Sequence, residues 1–280
     1  MEITPSTFED SDRYWETADI NIRRLAVLRS FGLTPWTSKN FCVTLSDGQV
    51  NVDVAQLEAV SRSGVLMRIA DSKVAVKEPR DKGSECYLVV IADHEVEKQI
   101  DSTTYIVPAY TYEFRTIGEI GNEAIPIAKL KNEHNVWHIQ ELYIPPCITL
   151  NADPELMRIA DATNARITSI CNQIANTVEP FAAVLLKMQV SRFTDLDMSE
   201  PPSVLHKLMT DIALILSNIV INGREMPVFD GVTAYNHNDI LNSIMPLSLY
   251  LEAYDNVLKS TPEPEPAKKI EQPVDVYYEL

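Results

Sequence analysis

The sequence is poor in glycine and has no long apolar run. Only 8 of its 280 residues are glycine, and none forms G-x-G-x-x-G or G-x-x-x-x-G-K-[ST], the loops that cradle nucleotide phosphates. No run approaches the roughly 20 apolar residues needed to span a bilayer, and the first residues do not resemble a signal peptide. We therefore expect a cytoplasmic chain without direct membrane insertion.

Cations and cysteines are also scarce. The chain has 24 Lys and Arg against 40 Asp and Glu, a formal net charge of −16. This balance argues against nucleic acid, because phosphate binding needs clustered cations. The 4 cysteines show no C-x-x-C spacing and favour reduced thiols over disulfides or a metal site. Proteins are the expected partners.

The first half of the chain has the character of β-strands. Segments such as NFCVTL, VLMRIAD and CYLVVIAD are rich in Val, Ile, Tyr and Thr, and turn sequences such as Ser46-Asp47-Gly48 separate them. Several segments alternate apolar and polar residues, as half-buried antiparallel strands do. Residues 1–150 are therefore predicted to form an antiparallel β-sandwich, here called the shell.

From residue 153 the apolar period becomes that of a helix. The first helix has a seam with the spacing of a coiled coil, and it is expected to continue past a kink at Pro180. Further helices are predicted over 203–220 and 238–259, so that residues 151–260 form a helical bundle, here called the neck, and the fold class is α+β. The candidate oligomer seam consists of Leu156, Ile167, Ile170 and Ile174.

A sharp joint separates these halves. Pro145 and Pro146 withhold two backbone N–H groups from any sheet ladder, so a strand is expected to stop there. Asp153 is a suitable N-cap and Pro154 a suitable first helical residue. The joint is predicted to set the shell at a definite angle on the neck.

The last twenty residues differ again. Four prolines and five acidic residues predict a flexible, extended tail over 261–280. Its end, VDVYYEL, is β-prone and aromatic. It is either a solvated terminus or a short motif that adds a strand to a partner's sheet. The candidate docking residues are Val274, Val276, Tyr277, Tyr278 and Leu280.

No pattern in the chain indicates catalysis. His134 and His138 would lie on one face of a strand but too far apart to share an ion without a bend. The stretch YNHND (residues 235–239) is typical of a loop and helix cap, and no third metal ligand is evident. We predict no catalytic, cofactor or metal site. The alternative is an α+β enzyme, which a pocket joining His94, His134 or His237 to carboxylates would support.

The joint and its flanks resemble TssK, the baseplate subunit of type VI secretion systems. That family has an I-P-[IL]-A-[RK]-[LI] strand, a Trp-containing strand, a [FY]-[IV]-P-P element, and a small residue, an acid and a leucine that open a helix. Residues 125–130, Trp137, 143–146 and 152–156 match these elements in order. The family's P-x-x-[FH]-x-x-x-[DE]-x-Y opening is similarly matched by Pro5, Phe8, Asp12 and Tyr14.

The resemblance implies a structural role without catalysis. It implies a homotrimeric adaptor whose shell binds a wedge of TssF- and TssG-like subunits at the inner face of the cytoplasmic membrane, linking it to the membrane-anchored complex. The family's membrane-docking head domain has no counterpart after residue 259, so the tail is the candidate contact with a membrane-complex component. The isoleucine seam would face its copies in the trimer, or else would fill the core of a monomeric bundle. A phage tail or receptor-binding-like structural protein is a further alternative.

Overall fold

The structure is a computed structural model that describes most of the chain between residues 14 and 260. The predicted tail residues Val274, Val276, Tyr277, Tyr278 and Leu280 lie outside the described residues, as does most of the matched N-terminal opening. For residues 94–100 and 103–107 only the backbone is described. The described ranges are 14–15, 17–23, 30–35, 40–80, 82–100, 103–174, 180–221, 224–231 and 234–260.

Eight described strands form two antiparallel sheets, as predicted for the first half. In the first sheet β3 lies between β4 on one side and β1 and β2 on the other; in the second the order is β6-β5-β7-β8. The strands are β1 Gly32–Leu33, β2 Asn40–Ser46, β3 Gln49–Val60, β4 Leu66–Lys77, β5 Glu85–Ile100, β6 Thr103–Arg115, β7 Ala124–Glu133 and β8 Val136–Ile139.

The two sheets share one apolar core. Alternate residues of β3, among them Val50, Val52 and Val54, are buried together with Leu88 of β5 and Ile125 of β7. Each such side chain contributes about 1.5–3 kcal/mol when fully buried. The alternation in sequence therefore places one face of each sheet towards the other, and the chain has the predicted α+β class.

Four described helices follow the sheets: α1 Pro154–Ile174, α2 Pro180–Thr194, α3 Pro202–Ser217 and α4 Ile240–Lys259. Pro180 was expected to kink one continuing helix. The structure describes α1 up to Ile174 and α2 from Pro180, and residues 175–179, where a kink would begin, lie outside the described residues, so the kink stays a prediction. α4 continues through Pro246 without interruption. Across the bundle, the Ser169 hydroxyl of α1 donates to the Asp255 carboxylate of α4 at 2.9 Å.

The predicted oligomer seam lies inside the single chain. Leu156, Ile167, Ile170 and Ile174 are at most 1% exposed and belong to the same core as the apolar residues of α3 and α4. Their side chains have no surface left for a sister chain in this structure. The stripe is therefore reassigned from a contact between copies to the chain's own core, which was the alternative interpretation.

The same core continues from the sheets into the helices. The division into domains at residues 1–150, 151–260 and 261–280 stays a prediction. The secondary structure does change at the predicted place, because a short 3-10 helix at Leu150–Ala152 leads directly into α1.

Candidate functional site at the junction of sheets and helices

The proline pair lies against the first strand of the shell. The N–H of Leu33 donates to the Pro146 carbonyl at 2.8 Å, and the N–H of Ile148 donates to the Leu33 carbonyl at 3.0 Å. Both prolines are buried. β8 ends earlier than expected, at Ile139, so the prolines do not stop the strand. They form an extended segment in which the Pro146 carbonyl, a group that proline retains, holds β1.

Gly32 makes this contact possible. Its φ of +114° lies outside the range that side chains favour, and a Cβ built there would lie 2.0 Å from the Pro146 carbonyl oxygen. A substitution would therefore have to move the proline segment or the strand. The close approach of two backbones needs a residue without a side chain at this position.

The helical side of the joint is capped as the sequence predicts. The Asp153 carboxylate accepts a hydrogen bond from the Glu155 N–H at 2.8 Å, and Pro154 is the first residue of α1. The turn before the cap is held by the loop that leads to α3, because the Leu150 N–H donates to the Glu200 carbonyl at 2.9 Å. The direction of α1 is thus fixed at its first turn.

A histidine from the loop before α4 closes one side of the joint. His237 Nε2 lies 2.7 Å from the Phe31 carbonyl, and its Nδ1 lies 2.7 Å from the Tyr235 hydroxyl. The neutral ring with its proton on Nε2 satisfies both contacts. Burial and, to a smaller extent, nearby Arg62 lower the pKa of His237 to about 4, against the opposing effect of the Phe31 hydrogen bond.

A buried ion pair closes the other side. Lys129 of β7 contacts Asp239, the residue that precedes α4. Its Nζ lies 2.5 Å from Asp239 Oδ2 and 2.9 Å from a Glu85 carboxylate oxygen. Lys129 is 4% exposed and Asp239 is 5% exposed. The Asn242 amide donates to the same Asp239 oxygen at 2.7 Å, and the Tyr87 hydroxyl lies 3.1 Å from it. Burial, followed by Asp239 and Glu85, raises the pKa of Tyr87, which therefore remains a neutral donor.

The junction is thus an arrangement that fixes orientation. A cavity of about 330 Å³ lies beside Lys129 and Asp239. None of the described residues that line it is a histidine. His134 and His138 are exposed on the β7–β8 hairpin, and the side chain of His94 lies outside the described residues. No three described His, Cys, Asp or Glu side chains come together as a metal site requires.

Sequence patterns identified part of this junction. They indicated the proline pair, the Asp153 cap and a loop and cap at residues 235–239, but they did not pair Lys129 with Asp239 or His237 with Phe31. These partners are 110 and 206 positions apart, and no local period connects such distant residues. The available signal was an isolated lysine in the otherwise apolar strand AIPIAKL, since a buried lysine requires an anionic partner.

Replacing Gly32 with Ala should destabilise the fold strongly. The added Cβ meets the Pro146 backbone, which cannot move aside as a flexible side chain could. Gly48→Ala is the matched control, because Gly48 has a φ of +70° but open space around it, and its cost should be about 1–2 kcal/mol. The free energy of unfolding, measured by urea denaturation, should fall more for Gly32→Ala. Equal losses would contradict the close contact.

Removing one partner of the Lys129–Asp239 pair should cost more unfolding free energy than half the cost of removing both. Asp239→Asn and Lys129→Met should each lose about 3 kcal/mol of unfolding free energy, because each strands a buried charge or acceptor. The double variant should lose about 1–3 kcal/mol less than the sum of the two. Glu85→Gln is the control, since this more exposed partner should be worth less than about 1 kcal/mol. Strict additivity in denaturant melts would disprove the coupling.

The neutral His237 should make stability depend on pH. The folded protein resists protonation down to about pH 4, whereas an unfolded histidine accepts a proton near its ordinary pKa of 6.5. Stability is therefore present above pH 6.5 and is lost as the pH falls towards 4, by up to about 3 kcal/mol. His237→Gln should remove this part of the slope, whereas His138→Gln, at an exposed position, should retain it. If the unfolding free energy of His237→Gln depends on pH as that of the wild type does, His237 is not the cause of the dependence.

No family model matches the sequence, and no curated protein matches it. Solved structures do match its fold. A chain of a type VI secretion TssK-TssF-TssG baseplate subcomplex aligns with a TM-score of 0.60 and 14% identity, over 91% of this chain and 96% of that one.

Two further structures agree. TssK of the EAEC type VI secretion system, solved with a nanobody, aligns with a TM-score of 0.59 and 14% identity over 90% of this chain and 69% of that one. A chain of a type VI baseplate complex aligns with a TM-score of 0.56 and 16% identity, over 92% of this chain and 96% of that one. The chain therefore has the fold seen in TssK, over both the sheets and the helices.

Proposed function

We propose that the chain is a structural baseplate subunit of a type VI secretion, or contractile injection, apparatus. The observation that carries this proposal is the shared fold, which extends over about nine tenths of the chain in each comparison. A likeness of that extent includes the junction and not the sandwich alone. In this role no bond is made or broken, and the chain contributes a fixed geometry.

The construction of the junction supports such a role. Two separate contacts, His237 with Phe31 and Asp239 with Lys129, join the loop before α4 to the shell. The backbone bonds of Leu33 to Pro146 and Ile148, just before α1, provide a third point of attachment. An adaptor has to transmit position between its partners, and buried polar contacts that hold in one arrangement only are suited to that task.

TssF- and TssG-like wedge subunits are the proposed partners. One matched structure is a TssK-TssF-TssG subcomplex, which makes such a wedge the natural candidate for this chain. We assign the contact to the sheets, the half of the chain expected to act as the shell. The site of action would then be the inner face of the cytoplasmic membrane.

A homotrimer is the proposed assembly, with a contact surface different from the seam first predicted. Phe181, Val184 and Met188 of α2 are 67%, 55% and 59% exposed and follow the i, i+3, i+7 spacing of one helix face. An apolar stripe left open in this way gains stability if a sister chain covers it. We call these three residues the α2 stripe.

Contact with the membrane-anchored complex is assigned to the tail. None of the described helices combines the length and hydropathy that a bilayer crossing requires. The β-prone end of the sequence, residues 274–280, is therefore proposed to link the baseplate to a membrane-complex component by strand addition.

The purified chain should have the mass of three copies and should bind the wedge proteins encoded with it. Light scattering after size exclusion measures the mass, and co-purification with tagged TssF- and TssG-like proteins measures the binding. Replacing Phe181 and Met188 with Asp should yield monomers, because charges placed on an apolar interface are desolvated without partners.

Leu249→Asp is the matched control for this experiment. Leu249 is 57% exposed on α4, outside the α2 stripe, so its replacement should leave the mass unchanged. A wild-type chain that stays monomeric and does not bind the wedge proteins would refute the baseplate role. A trimer that survives the α2 substitutions would refute only the assignment of the stripe.

A further inference from the structure

A cleft runs along the free edge of β2, between the two sheets. It has a volume of about 600 Å³ and is lined on one side by β2 and on the other by β8 and the turn that follows it. Trp137 and Ile139 contribute apolar surface, and Phe41, Val43 and Leu45 point partly inward. The cleft is therefore bordered by the outer strands of both sheets.

The backbone of β2 offers hydrogen-bonding groups at this edge. Asp47 and Gly48 have φ values of 52° and 70°, which indicate a two-residue type I′ turn closed by Ser46 and Gln49. Counting from that closing pair, Cys42 and Thr44 direct their N–H and C=O groups at β3, whereas Val43 and Leu45 direct theirs away from it. Among the described residues, β2 pairs with β3 alone.

This edge also lacks the usual protection against strand addition. Free strand edges normally carry charged residues or proline, which discourage pairing with another chain. β4 has Arg68 and Lys73, and β6 has Pro108 and Glu113. β2, with the sequence NFCVTLS, is the only outer strand longer than four residues in the described part of the chain that has neither charge nor proline. The cleft beside it is apolar at Trp137 and Ile139 and polar at His138, Gln140 and Glu141. An uncharged edge above such a cleft is suited to an added strand.

The end of the chain has the pattern that this edge requires. In VDVYYEL, Val274, Val276, Tyr278 and Leu280 alternate with Asp275, Tyr277 and Glu279, so one face would be apolar and the other mainly acidic. Its seven residues equal the length of β2. Residues 1–13, which also lie outside the description, contain Pro5 and do not alternate in this way.

The tail is long enough to reach the cleft within one chain. Tyr143 lines the cleft, and its hydroxyl donates to the Asn238 carbonyl at 2.8 Å, just before α4 begins. The 20 residues of α4 extend about 30 Å from there. Residues 261–273 include four prolines and span about 40 Å when extended. This length covers the path back along α4 to Asn238 and from there along the Tyr143 side chain to the cleft.

We propose that residues 274–280 add to β2 of the same chain as an antiparallel strand, with Val276 and Tyr278 facing the cleft. In that pairing Val276 lies opposite Val43, Val274 opposite Leu45 and Tyr277 opposite Cys42. The N–H groups of Val274 and Val276 then point at β2, towards the backbone groups that Leu45 and Val43 direct away from β3. The segment assigned above to a membrane-side partner would then be stored on the shell and released when that partner competes for it. The intramolecular contact itself does not depend on the baseplate role.

Disulfide formation with the exposed thiol of Cys42 tests the proposal in the full chain. Cys42 points to the outer face of β2, as Tyr277 would on the added strand, at a position where facing Cα atoms are about 4.5 Å apart. Tyr277→Cys should therefore form an intramolecular disulfide with Cys42 under mild oxidation, visible as a faster band on a non-reducing gel. The matched variant Tyr278→Cys, with its thiol on the opposite face, should yield roughly tenfold less.

Two further variants make the result specific. Cys42→Ser in the Tyr277→Cys background should abolish the fast band. Adding Val276→Pro to the Tyr277→Cys chain should also abolish it, because proline removes an N–H directed at β2. The proposal is overturned if cysteines at 277 and 278 react equally, or if the disulfide joins only separate chains. It is also overturned if Val276→Pro leaves the band intact.

Discussion

The orientation of the helices on the sheets depends first on a buried ion pair. Moving Lys129 and Asp239 out of water costs several kcal/mol per ion, and their attraction offsets this only when the remaining hydrogen-bonding capacity is also used. Here it is used, because Glu85 takes a second side of the ammonium and Asn242 and Tyr87 approach the Asp239 carboxylate. The pair therefore favours the one arrangement in which strand β7 meets the start of α4, and any tilt of the helix would expose or unpair a charge.

The loop before α4 holds the shell at a second point as well. His237 contacts the Phe31 backbone, and Phe31 precedes the strand whose Leu33 is bonded to Pro146. The Ser30 hydroxyl donates to the Cys147 carbonyl at 2.8 Å on the same side. Residues 30–33, 145–148 and 235–239 thus meet in one place, although they are far apart in the chain. Two attachment points resist rotation about either one, which a single ion pair could not do.

The sequence predicts those parts of this arrangement that local chemistry determines. Alternation identified the strands, the Asp153-Pro154 pair identified the start of α1, and Asp47-Gly48 identified the β2–β3 turn. The isoleucine stripe was correctly identified as buried, but a stripe does not specify whether its own chain or a copy covers it. α4, together with α2, packs on α1 and supplies that cover here. Contacts such as Lys129 with Asp239 could not be predicted, because they exist only once the two layers are packed.

The buried polar groups of the described chain are held in states that fix its geometry. Two of its buried charges, Lys129 and Asp239, neutralise each other, and His237 is kept neutral by burial. Groups in such states hold positions and do not transfer protons near neutral pH. The edge of β2 is the exception, because Val43 and Leu45 direct backbone groups away from β3, where another strand can pair with them. A scaffold with rigid internal contacts and one open edge can change its associations without changing its shape, which is what an adaptor between two assemblies needs.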